Sequence, residues 1–557
     1  MNEGTPLTQG ENDPSKNRGH FKSKFGMVVS CIGCMVGAGN IWRFPRIAAN
    51  NTGSGGALQF LLVWVLFLFL WSIPMLVIEY AAGRYCKSAP IGIFKTLVGP
   101  KNIWLGVWAA AVSTAIGCYY SVLCSWCLYY LYHCIVYPLP TTEAQSYDIF
   151  QSYAQESHWV LLPHAMATTL SGVTILWGVK TIEKVNSVIV PIFILLLVFS
   201  FIWSLTLPHA SLGLKFLFSA DWSLLKDPAM WIDAASQNAF DTGAGWGLMT
   251  SYAAFTTQDN GIIKLSTVIP SCNNLISLMS AMTTFATVFS VETSAGANQT
   301  EIVDIIQNSG PANTGLTFVW IPILYSTITG GKILAIFFFL ALSLALLSTE
   351  ISILELAVKS CEDLAGFKRI IIVPIVCAVT FLIGTGSALN TKYLVNQDYV
   401  WSYALLLSGF TLIYLVYRFG SGKFRSILIN EYSNNDWYLP VLWEWMVKYI
   451  APIEVSLLLG WFAIAEILKK NEWYNVAGDT LMSCLVQWTI VICLSILVNY
   501  IYIKFQKTPS TPAYDRMASD STSMEPTAAG KENGPDHEML ETSQNGITAG
   551  GPYVPTN

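Results

Sequence analysis

Charge is scarce in this sequence. Lys, Arg, Asp and Glu make up 12% of its 557 residues, against about 25% in soluble domains. A water-exposed surface for a chain of this length cannot be covered from so small a supply. Histidine is scarce too: six copies are scattered along the chain, and no metal-spaced His/Cys set emerges. A glycine-rich nucleotide loop and a hydrolase triad are also missing. A polytopic membrane enzyme needs convergent acid, base or metal groups, so these absences count against it. The first 24 residues are polar and lack an apolar h-region. No cleavable signal peptide is expected, and the first hydrophobic segment must direct targeting. The net charge of −5 says little, because acidic and basic residues are segregated by loop. No nucleic-acid partner is expected.

What is present is apolar. The hydrophobic share is 53% and mean hydropathy is +0.49. Leu58 to Ile78 carries no charge, and neither does Ile103 to Pro140 apart from neutral His133. Runs of about 18 or more such residues read as membrane-spanning helices, since lipid offers the backbone no hydrogen-bond partners. Twelve segments emerge, near 25–47, 57–82, 103–136, 159–178, 186–206, 230–256, 261–291, 333–361, 369–388, 398–418, 446–468 and 479–504. Most of the 12 cysteines lie inside these runs, and the lone Cys31-x-x-Cys34 has no second pair. It reads as helix packing rather than metal or redox chemistry.

Basic residues set the orientation. Arg84, Lys87 and Lys95 follow segment 2, Lys180 and Lys184 follow segment 4, and Arg418, Lys423 and Arg425 follow segment 10. Lys332 and Lys392 are exceptions. Both termini are predicted cytoplasmic. The expected organisation is a cytoplasmic segment 1–24, a twelve-helix domain 25–506 and a cytoplasmic tail 507–557. That tail is rich in Pro, Gly, Ser, Thr, Glu and Asn and is predicted to be disordered, either as a phosphorylation target or as a passive end. Asn298-Gln299-Thr300 is a glycosylation sequon in a predicted outside loop.

Two segments are interrupted by glycine. Segment 1 holds Gly33, Gly37 and Gly39, and segment 6 holds Gly243, Gly245 and Gly247. Each costs about 1 kcal/mol in a helix relative to Ala. Close packing of helices through small residues is one reading. The other is unwinding around a site. Corresponding breaks five segments apart are the sign of an inverted-repeat transporter with a midplane site.

Three motifs fall in order on the expected segments: Gly37 to Pro45 (GAGNIWRFP), Ile78 to Tyr85 (IEYAAGRY) and Cys361 to Leu364 (CEDL). On these the chain resembles the neurotransmitter:sodium symporter family from about Arg18 to the end of segment 12. The sixth-segment form QNAFDTGAGWG and the short loop after segment 3 are more similar to microbial-type amino acid carriers than to animal monoamine carriers. The resemblance implies an all-α membrane protein of twelve transmembrane helices. Two inverted five-helix repeats, with helices 1 and 6 broken, would be followed by two C-terminal helices. It further implies a multi-pass plasma-membrane protein that is not an enzyme and that couples sodium to import of a small amino-acid-like substrate by alternating access.

It also implies site residues. The first of two Na+ sites would use the Met35 carbonyl, Asn40, Asp241 and Asn273. The second would use the carbonyls of Gly33, Val36 and Ala345 with the hydroxyls of Ser348 and Thr349, although those hydroxyls could instead bond back to their own helix. The substrate pocket would comprise Met35, Gly37, Gly39, Tyr120, Phe240, Gly243, Thr349 and Ile353. Arg43 with Asp398 would form the outer gate, and Arg18 with Asp363 the inner one; a static surface salt bridge is the alternative for each pair. Phe255 replaces the family's inner tyrosine. Gly37 stands where monoamine carriers place an aspartate, which favours a substrate that brings its own carboxylate. An amine or osmolyte carrier is the runner-up, and a substrate-sensing receptor on the same scaffold the rival class.

Two acids stand out. A carboxylate at mid-membrane is expensive and functional by default. Many family members have a neutral hydroxyl residue at the position of Asp241 and use chloride, with a second-helix tyrosine where this chain has Leu62. Asp241 is therefore expected to supply the negative charge and make transport chloride-independent, while Ser277 keeps the chloride-type pattern. Glu350 stands where the family has a small or apolar residue. It selects a cationic side chain, carries a proton, or forms a structural ion pair or hydrogen bond.

Overall fold

The computed structural model describes residues 19–53, 55–307, 314–468, 473–476 and 478–505. All lie in one compact unit, Met1–Tyr514. Among the described residues there are helices and no strand. Arg18 and the tail 507–557 lie outside the described residues, as do the assignments made for them.

The chain opens with α1 (Lys24–Met35) and α2 (Gly39–Asn50), bent 53° apart. Then come α3 (Leu58–Cys86), α4 (Pro90–Leu97), α5 (Ile103–Val136), α6 (Leu161–Leu176), α7 (Val179–Leu205) and α8 (Ala210–Leu217). The sixth segment is α9 (Pro228–Thr242) and α10 (Leu248–Ala253). It is followed by α11 (Ile262–Ala295), α12 (Gln299–Gln307), α13 (Leu316–Ser326), α14 (Gly331–Ala365), α15 (Arg369–Leu389), α16 (Thr391–Phe419), α17 (Leu442–Leu468) and α18 (Leu481–Phe505).

Among the described residues, 10 helices are long and apolar enough to cross a membrane, and 11 spans result if the bent α1–α2 pair counts as one. The remaining expected segment, 230–256, does not qualify. Gln237, Asn238, Asp241 and Thr242 dilute its hydropathy, and the break splits it into 15 and 6 residues. The chemistry that makes it a candidate site thus removes it from a hydropathy count.

The helices sort by burial. Only 28% of the most apolar window of α7, α17 or α18 is buried, against 67% for α14. Val188, Leu195, Leu382, Leu457 and Leu494 are exposed on the outer helices. In water this much exposed aliphatic surface would aggregate; in a bilayer it is the matched face. In the interior the packing is close. A Cβ on Gly117 of α5 would lie 2.7 Å from Ile353 Cγ2 of α14, and one on Gly83 of α3 would lie 2.4 Å from the Thr250 carbonyl of α10. Small residues at such crossings let helix backbones approach.

Candidate functional site

Both interruptions are real breaks, and several of the backbone groups they free find partners. In the sixth segment, Gly243, Gly245 and Gly247 have φ of +64°, +93° and +77°, values that side chains rarely adopt. The freed groups find partners on neighbouring helices. The Glu79 carboxylate accepts from Gly245 N (2.8 Å) and Met249 N (2.9 Å). Trp71 Nε1 donates to the Ala244 carbonyl (3.3 Å), and Ser113 Oγ to that of Trp246 (2.9 Å). In the first segment, Gly37 N donates to Asn40 Oδ1 (2.8 Å) and Ala38 N to the Tyr120 hydroxyl (3.0 Å).

The first break meets α14 through oxygen atoms. Thr349 Oγ1 lies 3.3 Å from the Gly33 carbonyl oxygen, 3.2 Å from that of Val36 and 3.2 Å from that of Ala345. The last contact is the back-bond within α14; the other two cross to α1 and its end. One hydroxyl proton cannot serve three carbonyls, so surplus acceptors face one point. Ser348 adjoins them, because a Cβ on Gly33 would lie 2.2 Å from its Oγ. Its hydroxyl donates to Asn186 Oδ1 at 3.2 Å. An oxygen-only set without a carboxylate suits a hard monovalent cation at an unwound helix.

A second polar cluster joins α2, α9 and α11. Asn40 Nδ2 donates to Asn273 Oδ1 (2.9 Å) and Ser277 Oγ (2.8 Å). Ser277 Oγ donates to Asp241 Oδ2 (3.1 Å). Gln237 Nε2 donates to Asp241 Oδ1 (2.7 Å) and to the Gly39 carbonyl (3.1 Å). Asn40, Asp241 and Asn273 are all buried. Met35 is buried at the end of α1. Leu62 is 52% exposed and takes no part; the buried aromatics two residues to either side of it on α3 are Phe60 and Trp64.

The expected substrate residues also converge. A Cβ on Gly37 would lie 2.1 Å from the Tyr120 hydroxyl and 2.9 Å from Thr349 Oγ1, and one on Gly39 would lie 2.8 Å from Asp241 Oδ1 and 3.0 Å from Phe240 Cδ1. An aspartate at position 37 therefore has no room unless Tyr120 moves. Beside Gly243 there is space: a Cβ there would meet only Leu248 Cδ2, at 3.9 Å. Ile353 is fully buried against Gly117.

The gate residues differ in outcome. Arg43 and Asp398 line one cavity of about 180 Å³, yet no ion pair joins them. Arg43 lies over the Phe240 ring, 4.4 Å from its centroid, and Ser402 Oγ donates to Asp398 at 3.5 Å. The cation–π contact holds the guanidinium in place of the carboxylate. Asp363 accepts from Ala89 N (2.8 Å) and pairs with Lys359 (3.5 Å); its expected partner Arg18 is outside the described residues. Phe255 meets the Phe21 ring edge-on (centroids 6.4 Å apart), and its carbonyl accepts from Phe21 N (3.4 Å). Aromatic contact thus stands where a tyrosine hydroxyl is lost.

Three residues escaped the sequence reading. Gln237 bridges the two broken segments. Glu79 holds the sixth-segment break, and as an acid inside an apolar run it carried the same signal as Asp241. Glu183 accepts from Lys22 N (2.8 Å), Ser23 N (2.9 Å) and Ser23 Oγ (3.0 Å), tying the start of α1 to α7; only the tertiary structure brings them together. Glu350 is 0% exposed, and neither carboxylate oxygen has a hydrogen-bond partner. The expectation of a structural ion pair or hydrogen bond at Glu350 is therefore not met.

Discontinuous helices, converging oxygen atoms at the breaks and an apolar exterior are features that secondary transporters share. The chain matches the sequence profile of the Sodium:neurotransmitter symporter family over residues 18–158 and 150–507. It belongs to that family, and it is a sodium-dependent membrane transporter rather than an enzyme. It is 26% identical over 509 residues to the uncharacterized sodium-dependent transporter MJ1319 of Methanocaldococcus jannaschii, covering 88% of this chain and 98% of that one. It is 23% identical to the sodium- and chloride-dependent glycine transporter 2 of Xenopus laevis, covering 87% and 70%. Among solved structures, MhsT in complex with L-phenylalanine matches with a TM-score of 0.68 and 26% identity, over 79% of this chain and 99% of that one.

Proposed function

We propose that the protein imports an amino-acid-like substrate across the plasma membrane by sodium symport, with two Na+ sites and no chloride requirement. The observation that carries this reading is the approach of three carbonyls to Thr349 Oγ1 at the first break. In this reading Gly33, Val36, Ala345, Ser348 and Thr349 hold one sodium ion, and Met35, Asn40, Asp241 and Asn273 hold the other. The substrate lies among Met35, Gly37, Gly39, Tyr120, Phe240, Gly243, Thr349 and Ile353. Its carboxylate meets the backbone near Gly39 and the Tyr120 hydroxyl. The Gly37 contacts support a substrate that supplies its own carboxylate, because that glycine leaves no room for a protein one.

The architecture in this reading is twelve membrane helices, with α1–α2 and α9–α10 as the broken members of two inverted five-helix repeats and with both termini cytoplasmic. Sodium and substrate bind from outside, Arg43 and Asp398 close above them, and loss of the second sodium inward releases the inner gate at Asp363. Each inward charge gains about 2.3 kcal/mol per 100 mV. The Asp241 carboxylate, bonded by Gln237 and Ser277, balances sodium in place of chloride.

The test is uptake of a labelled amino-acid panel into proteoliposomes under an inward sodium gradient, in chloride and in gluconate. Accumulation that requires sodium and persists in gluconate is expected. Binding without accumulation would indicate a receptor, preference for amines would support the runner-up, and collapse in gluconate would remove the charge-balancing role of Asp241.

A further inference from the structure

The reading above gives a place to the substrate's carboxylate but none to Glu350. This side chain is fully buried in α14, and both of its oxygens lack a hydrogen bond. A buried carboxyl group with no partner is costly, and in a membrane span it marks function. Among the described residues, no lysine, arginine or histidine forms an ion pair with it. It directly follows Thr349, and it lies in the electrostatic neighbourhood of Tyr120, Cys118 and Cys124 on α5 and Cys377 on α15. Tyr120 and Thr349 are the two side chains that crowd Gly37. Glu350 thus stands behind the wall of the proposed pocket, in a place with no cation of its own.

We infer that Glu350 receives the positively charged end of the substrate's side chain, so that the transported class is amino acids with a cationic side chain. This rests on the amino-acid reading and sharpens it. An inorganic ion fits the position poorly. It needs several converging oxygens, and among the described residues no hydroxyl hydrogen-bonds to either Glu350 oxygen. An ammonium or guanidinium brings its own donors and needs only the carboxylate as acceptor.

The experiment compares lysine with norleucine, the same side chain without its terminal ammonium, as competitors for sodium-driven uptake by the full-length protein in proteoliposomes. Lysine is expected to compete at least about 30-fold better, the effect of removing one partner of a buried charge pair. Glu350→Gln should reduce that ratio by a similar factor, and Glu350→Asp should restore part of it. Equal competition by norleucine in the wild type, or an unchanged ratio in Glu350→Gln, overturns the inference while leaving amino acid symport standing. Should Glu350→Gln transport nothing, the wild-type ratio decides. Absence of sodium-driven uptake of every amino acid overturns both readings.

Discussion

Replacing Asp241 by asparagine keeps the side chain's shape and removes its charge. Its two oxygens accept from Gln237 Nε2 at 2.7 Å and Ser277 Oγ at 3.1 Å. Asparagine can keep one acceptor, but its amide nitrogen would face a donor in place of the other. A sodium ion about 4 Å from the carboxylate gains roughly 4 kcal/mol at an effective dielectric of about 20, or about a thousandfold in affinity. If the amide oxygen recovers half of that, about thirtyfold remains. Sodium half-saturation should therefore rise by about 30- to 1000-fold in Asp241→Asn, measured as uptake against sodium concentration at constant ionic strength. Asp241→Ser should in addition make transport depend on chloride, since Ser277 and Asn40 would then surround an uncharged site. A sodium half-saturation within about threefold of wild type would refute the reasoning, because a charge that close to the ion cannot be lost with so little effect.

Other outcomes follow from the same geometry. Thr349→Val replaces the hydroxyl facing three carbonyls with a methyl group; sodium-dependent uptake should fall by about 10- to 100-fold, and unchanged sodium activation would remove Thr349 from the site. Gly37→Ala puts a Cβ 2.1 Å from the Tyr120 hydroxyl, so it should break the Ala38–Tyr120 bond and abolish substrate binding, as read by ligand-protected thermal stability. Glu79→Gln removes the charge accepting two backbone N–H groups at the sixth-segment break and should lower stability by about 1.5–3 kcal/mol per bond lost, seen as a reduced melting temperature in detergent. Glu183→Ala removes the acceptor of three bonds from Lys22 and Ser23. It should raise labelling of a cysteine placed on the inner end of α1, and unaltered labelling would show that the tie does not restrain that helix.

Most of the fold was legible because hydropathy is a one-dimensional property. The charge-free runs place the membrane helices: α5 begins and ends where the sequence predicts, at 103 and 136. The two glycine clusters locate both breaks, because only backbone freedom and small size explain them. Segment 6 was counted with the apolar runs, but its polar residues and its break into 15 and 6 residues keep it out of the spans that length and apolarity define. Asp241 was legible because an acid at mid-membrane needs a reason.

Other features depend on which helices meet. Nothing local says that Thr349 faces Gly33 and Val36, more than 300 positions away along the chain, or that Gln237 links Asp241 to the Gly39 carbonyl. Leu62 and Trp64 are two residues apart, but one faces outward and the other is buried; helix rotation against neighbours decides that. Sequence alone sets which stretches form long apolar helices and where glycine interrupts them, because lipid leaves each backbone group to be satisfied within its own helix or by a neighbour. Which oxygens converge, that Arg43 rests on Phe240 rather than Asp398, and that Glu350 has no hydrogen-bond partner among the described residues emerge only from the packing, because each depends on groups carried by different helices.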